Sequence, residues 1–135
     1  MIALDTNVFI YVLNADSRFG PEAAKLLKTT QQPKVASELV FAEILASPRL
    51  LDTPLQNKAL SFLNALDIEW QKVTKDVLFE AAHLRRLQPS CKLADAIHIA
   101  SAITMQAEVF VTNDQDLVLF KDIGIDIRNL ESHHL

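Results

Sequence analysis

Short apolar runs alternate along this chain with longer stretches whose apolar residues recur at helical spacing, and that alternation limits the fold more than any other feature. Residues 2–4, 34–37, 68–73 and 108–111 read as strands, with a weaker fifth at 125–127. Residues 7–13 read as a helix that Asp5 or Thr6 would cap. A second helix begins with Pro21 in its first turn and runs through Ala23, Ala24, Leu26 and Leu27 to about residue 31, before Pro33. Residues 39–46, 55–66, 75–87 and 93–106 continue the helical pattern, with Thr74 as a cap and a helical turn at 117–120. Pro48 and Pro54 bracket a loop that contains Arg49, and Pro89-Ser90 marks a turn. Strands alternating with helices predict an α/β fold, a mostly parallel sheet of about five strands flanked by helices. No repeat, low-complexity tract or linker interrupts the sequence, so residues 1–135 are expected to form a single domain.

Composition removes several function classes. Charged residues make up 22%, as in ordinary globular proteins, which argues against disorder. Thirteen Lys plus Arg against 17 Asp plus Glu leave no general basic coat for nucleic acid. Any polyanion must be held by a local basic patch or by metal ions. One cysteine, Cys91, excludes an internal disulfide and a Cys-based zinc site. Its place near a helix start favours some thiolate reactivity, but no function is assigned to it. Two glycines, Gly20 and Gly124, are too few and too far apart for a phosphate-cradling loop. Asp5 interrupts the first apolar run too early for a signal peptide, and no stretch approaches the roughly 20 apolar residues of a membrane span. The expectation is a cytoplasmic protein with no membrane partner. His133-His134 is too short for a tag or a metal site.

The chemistry lies in acids set among apolar residues. Asp5 closes the first strand. Glu43 interrupts Leu39-Val40-Phe41-Ala42-Glu43-Ile44-Leu45-Ala46, and Asp95 interrupts Leu93-Ala94-Asp95-Ala96-Ile97-His98-Ile99-Ala100. Asp114 and Asp116 follow the fourth strand. An isolated buried carboxylate costs several kcal/mol unless a partner compensates it. Taken singly, each acid has a structural reading. Asp5 would cap a helix, Asp114 and Asp116 would shape a turn, Glu43 would meet a distant Arg, and Asp95 would favour a helix dipole. Taken together they suggest one site, because open parallel sheets build sites beyond the carboxyl ends of strands where strand order reverses. Two carboxylates about 4 Å apart repel by roughly 4 kcal/mol at an effective dielectric of 20. Such a cluster needs cations or raised pKa values, and oxygen donors favour Mg²⁺ or Mn²⁺ over zinc.

Four segments then carry a resemblance. Leu4-Asp5-Thr6-Asn7-Val8-Phe9-Ile10 resembles the opening motif of the PIN-domain family, and Leu39-Val40-Phe41-Ala42-Glu43-Ile44 resembles its second. Leu93-Ala94-Asp95-Ala96-Ile97-His98-Ile99-Ala100 is similar to the third, and Val111-Thr112-Asn113-Asp114-Gln115-Asp116-Leu117 to the fourth. Each motif is weakly specific, while four in order from residue 2 to about 130 are strongly so. The small single-domain form resembles VapC-type toxins of toxin–antitoxin pairs. The resemblance implies a PIN-like fold and an endoribonuclease, a hydrolase dependent on Mg²⁺ or Mn²⁺. It implies Asp5, Glu43 and Asp95 as metal ligands, with Asp114, or alternatively Asp116, as the fourth acid. Thr112 and Asn113 would shape the loop, and Thr6 or Asn7 would orient Asp5 or a metal-bound water. A bound metal would activate water for in-line attack on phosphorus, leaving 5′-phosphate and 3′-hydroxyl ends. The resemblance also implies an antitoxin partner that inserts a basic side chain, and a homodimer.

Candidate phosphate-positioning bases are Arg49, the pair Arg85-Arg86, and Lys92 one turn before Asp95. His98, three residues after Asp95, is expected as a hydrogen-bonded core histidine, or as a partner of that carboxylate or of phosphate. His83 is expected at the surface. Trp70 and Tyr11 offer little basis for stacking on bases. The helices at 22–31 and 55–66 offer apolar faces to the core or to a dimer. Three rival readings have less support. A haloacid-dehalogenase-type phosphatase wants an acid where Asn7 stands, and a receiver domain wants an Asp after the third strand. The third is a catalytically silent module binding RNA or protein, which has no reason to gather four acids.

Overall fold

The computed structural model describes residues 1–131, so His133 and His134 lie outside the described residues. The chain runs β1 (Ile2–Leu4), α1 (Thr6–Leu13), α2 (Gly20–Lys28), β2 (Lys34–Ser37), α3 (Leu39–Leu45) and α4 (Thr53–Ala65). It continues through β3 (Glu69–Gln71), α5 (Lys75–Leu87), α6 (Leu93–Thr104), β4 (Val109–Val111), α7 (Gln115–Val118) and β5 (Asp126–Arg128). The five strands form one parallel sheet in the order β3-β2-β1-β4-β5. This is the expected α/β architecture of a PIN-like domain.

Alternation along the strands sorts side chains onto two faces. Ile2, Leu4, Val109 and Val111 join one core, with Val8 and Phe9 of α1, Val40 of α3 and Leu63 of α4. Ala3, Val35 and Phe110 join the other, with Val77 and Ala81 of α5 and Ala96, Ile99 and Ala100 of α6. The apolar stripes of α2 (Ala23, Leu26, Leu27) and α4 (Ala59, Leu63) are buried, so both serve core packing. Among the described residues no helix is long and apolar enough to cross a membrane.

Strand order reverses beside β1. The connection from β1 leads to β2 on one side, while β4 lies on the other side and leads on to β5. Parallel register pairs Leu4 with Val111, so Asp5 and Thr112 leave the sheet side by side. That crevice is where ligands bind in open α/β sheets.

Several boundaries differ from expectation. The loop expected between Pro48 and Pro54 holds a 3-10 turn at Pro48–Leu51, and α4 already begins at Thr53 because Asp52 caps it through the Leu55 amide. α2 stops at Lys28, where Thr29 turns extended toward Pro33. β3 is an edge strand and shortens to the three residues that pair with β2. α6 ends at Thr104, two residues early, because Gln106 takes a left-handed conformation. α7 lies two residues earlier than read, because the Asp114 side chain accepts the Asp116 amide and starts the turn there. β5 is shifted by one residue to keep Ile127 paired with Phe110.

Candidate functional site

Asp5 is the hub of the crevice. It is 6% exposed and caps α1, its Oδ1 accepting the Thr6 amide at 2.8 Å. Its Oδ2 accepts the Thr112 hydroxyl at 2.7 Å across the strand reversal. The same hydroxyl accepts the Asp114 amide at 3.0 Å and the Asn7 amide group at 3.3 Å. Asn7 in turn accepts the Asn113 amide at 3.4 Å, and Asn113 donates to the Tyr11 hydroxyl at 3.0 Å. Thr6, Asn7, Thr112 and Asn113 thus stitch the end of β1 to the end of β4. Burial pushes the Asp5 carboxyl above its ordinary pKa, against the lowering pull of His98 and the Thr112 hydrogen bond.

Glu43 and His98 meet from different helices. The expectation that the apolar run around Glu43 buries it is corrected. The α3 helix hides Val40 and Ile44, while the Glu43 side chain keeps 36% of its exposure. Its partner is His98 of α6, not a distant Arg. His98 Nε2 faces Glu43 Oε1, and the Thr6 hydroxyl donates to the same oxygen at 2.7 Å. The His98 hydrogen bond holds the Glu43 carboxyl below the usual range, with Thr6 assisting. His98 is the buried, bonded core histidine that was expected, but its bond goes to Glu43 and to Thr6 at 3.1 Å, not to Asp95. Sequence reading missed this triangle. The only signal was a histidine flanked by apolar residues in α6, and it names no partner.

Asp95 lies in the first turn of α6. Its carboxyl is pushed up to about 6, first by burial and then by the charges of Asp5, Asp114 and Glu43. All four acids therefore share one electrostatic neighbourhood. Asp114 caps α7, and Asp116 is exposed and contributes its amide to Asp114. The cap readings of Asp5 and Asp114 hold alongside the cluster, since each carboxylate has two oxygens.

The donor chemistry fits a hard divalent cation. The set is carboxylate oxygen with hydroxyl and amide supports, and no thiolate. Among the described residues no Lys or Arg forms a salt bridge to any of the four acids. Equally, no three His, Cys, Asp or Glu side chains among them converge as a ready-made ligand sphere.

The candidate bases occupy different places in the fold. Arg49 lines a groove of about 410 Å³ that also contains Glu43, and Lys58, which sequence reading passed over, lies on the same wall. Lys92 stands at the N-cap position of α6, one turn before Asp95, without a side-chain capping bond. Arg85 is exposed but donates to the Cys91 carbonyl at 2.9 Å, and Arg86 is exposed beside it. Cys91 does not have the reactive thiol its position suggested. Burial, with the charge of Asp95, pushes it up to about 11 despite the opposing charge of Arg85. His83 is at the surface as expected. Trp70 packs against Phe41 and Phe9 at 4.6 and 5.6 Å, and Tyr11 against Phe19 at 5.0 Å, so both rings take part in core packing.

Comparison with known proteins agrees with this geometry. The PIN domain family matches residues 2–125. No curated protein matches the sequence. Among solved structures, a toxin–antitoxin complex from Klebsiella pneumoniae superposes with a TM-score of 0.73 at 17% identity, covering 96% of this chain and 98% of that one. VapBC2 from Rickettsia felis, bound to a DNA fragment from its promoter, gives 0.70 at 22% identity with the same coverages of 96% and 98%. FitAcB from Neisseria gonorrhoeae gives 0.66 at 18% identity, covering 98% of this chain and 99% of that one. At these identities the likeness is one of fold.

Proposed function

This chain belongs to the PIN domain family, and from that premise we propose that it is a metal-dependent endoribonuclease, the toxin of a toxin–antitoxin pair. The observation that carries the reading is the strand reversal, where Asp5 at the end of β1 accepts the Thr112 hydroxyl from the end of β4 and Thr6 beside it donates to Glu43. The Asp95 carboxyl, pushed up to about 6 by burial and by Asp5, Asp114 and Glu43, accords with it. Holding that much negative charge together is unfavourable for the fold and useful to a cation site.

In this reading Asp5, Glu43, Asp95 and Asp114 hold the Mg²⁺ or Mn²⁺, and Asp116 stays outside. When bound, the ion supplies Lewis-acid chemistry, acidifying water and offsetting charge on a phosphodiester. Thr112 and the Thr6 amide fix the two oxygens of Asp5. Asn7 and Asn113 hold the two loops in register. In the same reading Arg49, Arg85, Arg86 and Lys92 orient the RNA backbone through its phosphates. No side chain is needed as nucleophile.

The partners follow from the same reading. The structural neighbours from Klebsiella pneumoniae and Rickettsia felis are toxin–antitoxin assemblies, which supports an antitoxin for this chain. Such a partner would reach the acidic crevice with a basic side chain. A homodimer is the expected solution state, to be read from light scattering after size exclusion. A cytoplasmic location accords with an RNA substrate.

The test is direct. Purified protein is incubated with structured RNA in Mg²⁺ or Mn²⁺, and again with EDTA. Cleavage should require the ion and fall at least a hundredfold in Asp5→Asn and Asp95→Asn, since each removes a charge from the ligand set. Cleavage that persists in both variants would sink the assignment. RNA binding without cleavage by the unaltered chain would mark a silent module instead.

A further inference from the structure

We propose that Thr6 and His98 clamp Glu43 by one carboxylate oxygen and present the other to the divalent ion, which makes His98 a positioning residue of the metal site. This rests on the metallonuclease reading above.

Three helices supply the parts: Thr6 from α1, Glu43 from α3 and His98 from α6. Both donors converge on Oε1, the Thr6 hydroxyl at 2.7 Å and His98 Nε2 alongside it. Among the described residues nothing donates to Oε2. Nε2 must carry a proton to donate to a carboxylate, which commits that ring nitrogen to Glu43. Nδ1 is buried and has no partner among the described residues.

That orphaned nitrogen is informative. The His98 side chain is 1% exposed in a helix that otherwise buries Ala96, Ile97, Ile99 and Ala100. An apolar side chain would fill the position without a desolvated, unpaired ring nitrogen. Packing alone gives no reason for a histidine there, whereas a fixed Glu43 does. Glu43 stands on a seven-residue helix with much of its side chain in solvent. Left free, it would sample several rotamers and lose that freedom on binding the ion. Outer partners that orient a ligand typically change metal affinity 10- to 100-fold.

The experiment is calorimetric titration of metal-free protein with MnCl₂, with no RNA present. It compares wild type with His98→Leu, His98→Gln, Thr6→Val and Glu43→Gln. His98→Leu and Thr6→Val should each weaken Mn²⁺ by roughly tenfold or more, and His98→Gln, whose amide nitrogen can stand in for Nε2, should stay within about threefold. Melting in EDTA reports folding separately. Wild-type affinity in His98→Leu, with the ion lost in Glu43→Gln, overturns the clamp and leaves the nuclease reading standing. Equal weakening in His98→Leu and His98→Gln also overturns it, in favour of plain packing. Wild-type affinity in Glu43→Gln removes Glu43 from the ligand set, and the metal reading fails at that residue together with the clamp.

Discussion

Asp95 and Glu43 are both acids in apolar helical runs, and their surroundings drive them in opposite directions. Glu43 has found a hydrogen-bonding histidine and is held below the usual range. Asp95 has burial and like charges and is pushed up to about 6. The raised group has a clear consequence for pH. Between about pH 4 and 6 the unfolded chain has given up the Asp95 proton while the folded chain retains it. The native state then binds more protons, so this group's contribution to stability falls as pH rises through that window. Asp95→Asn should therefore raise the melting temperature in EDTA at pH 7 and flatten its decline between pH 4 and 6. Melting curves at a series of pH values check this, and a variant less stable than wild type at pH 7 would contradict it.

At the scale of elements, the chain ends two helices without glycine. After α1 the Asp16 amide bonds to the Tyr11 carbonyl and the Ala15 amide to the Val12 carbonyl. After α6 the Ala107 amide bonds to Ala102 and the Gln106 amide to Ile103. These are paired C-terminal caps, and each places one residue in the left-handed region, Ala15 at φ 50° and Gln106 at φ 59°. Side chains other than glycine adopt that region at a cost of about 1 kcal/mol. Gln106→Gly should thus stabilise the protein by up to about 1 kcal/mol, and raise Tm by about 3 °C. Thermal unfolding measures it, and no rise would show that the cap is not strained. The same cap delivers the chain from α6 into β4, whose end carries Thr112 to the site. The other connection that matters is Asp5 itself, strand terminus, helix cap and proposed ligand at once.

For the whole molecule, strand order explains why acids from four separate segments become neighbours. β1 and β4 lie side by side with their connections leaving to opposite sides, and α3 and α6 meet through Glu43 and His98, on the helix that also carries Asp95. An ion that binds this arrangement and not the unfolded chain must stabilise the fold. Saturation at 100 times its dissociation constant corresponds to about 2.7 kcal/mol. Mn²⁺ should raise the melting temperature of wild type by several degrees and leave Asp5→Asn near its EDTA value. An equal rise in both would place the ion elsewhere.

Strand and helix periodicity depends on neighbours two to four residues away, so the alternation that defines the α/β class was readable from the chain alone. The same holds for the caps at Asp5 and Thr74, whose side chains accept amides within a few residues, and for the four acids as candidates. Boundaries drifted where an edge strand, a side-chain cap or a left-handed residue decided them, as at β3, α7 and α6. What tertiary structure alone decided is which groups face one another. Glu43 and His98 are 55 residues apart, and Asp5 and Thr112 are 107 apart. No local pattern encodes such contacts, because they form only when the sheet order sets two distant segments at one edge. Composition and spacing determined that this chain carries acids where a parallel sheet ends. The packed fold decided that Glu43 is hydrogen-bonded by Thr6 and His98, that Asp95 lies among like charges, and that Asp116 lies exposed.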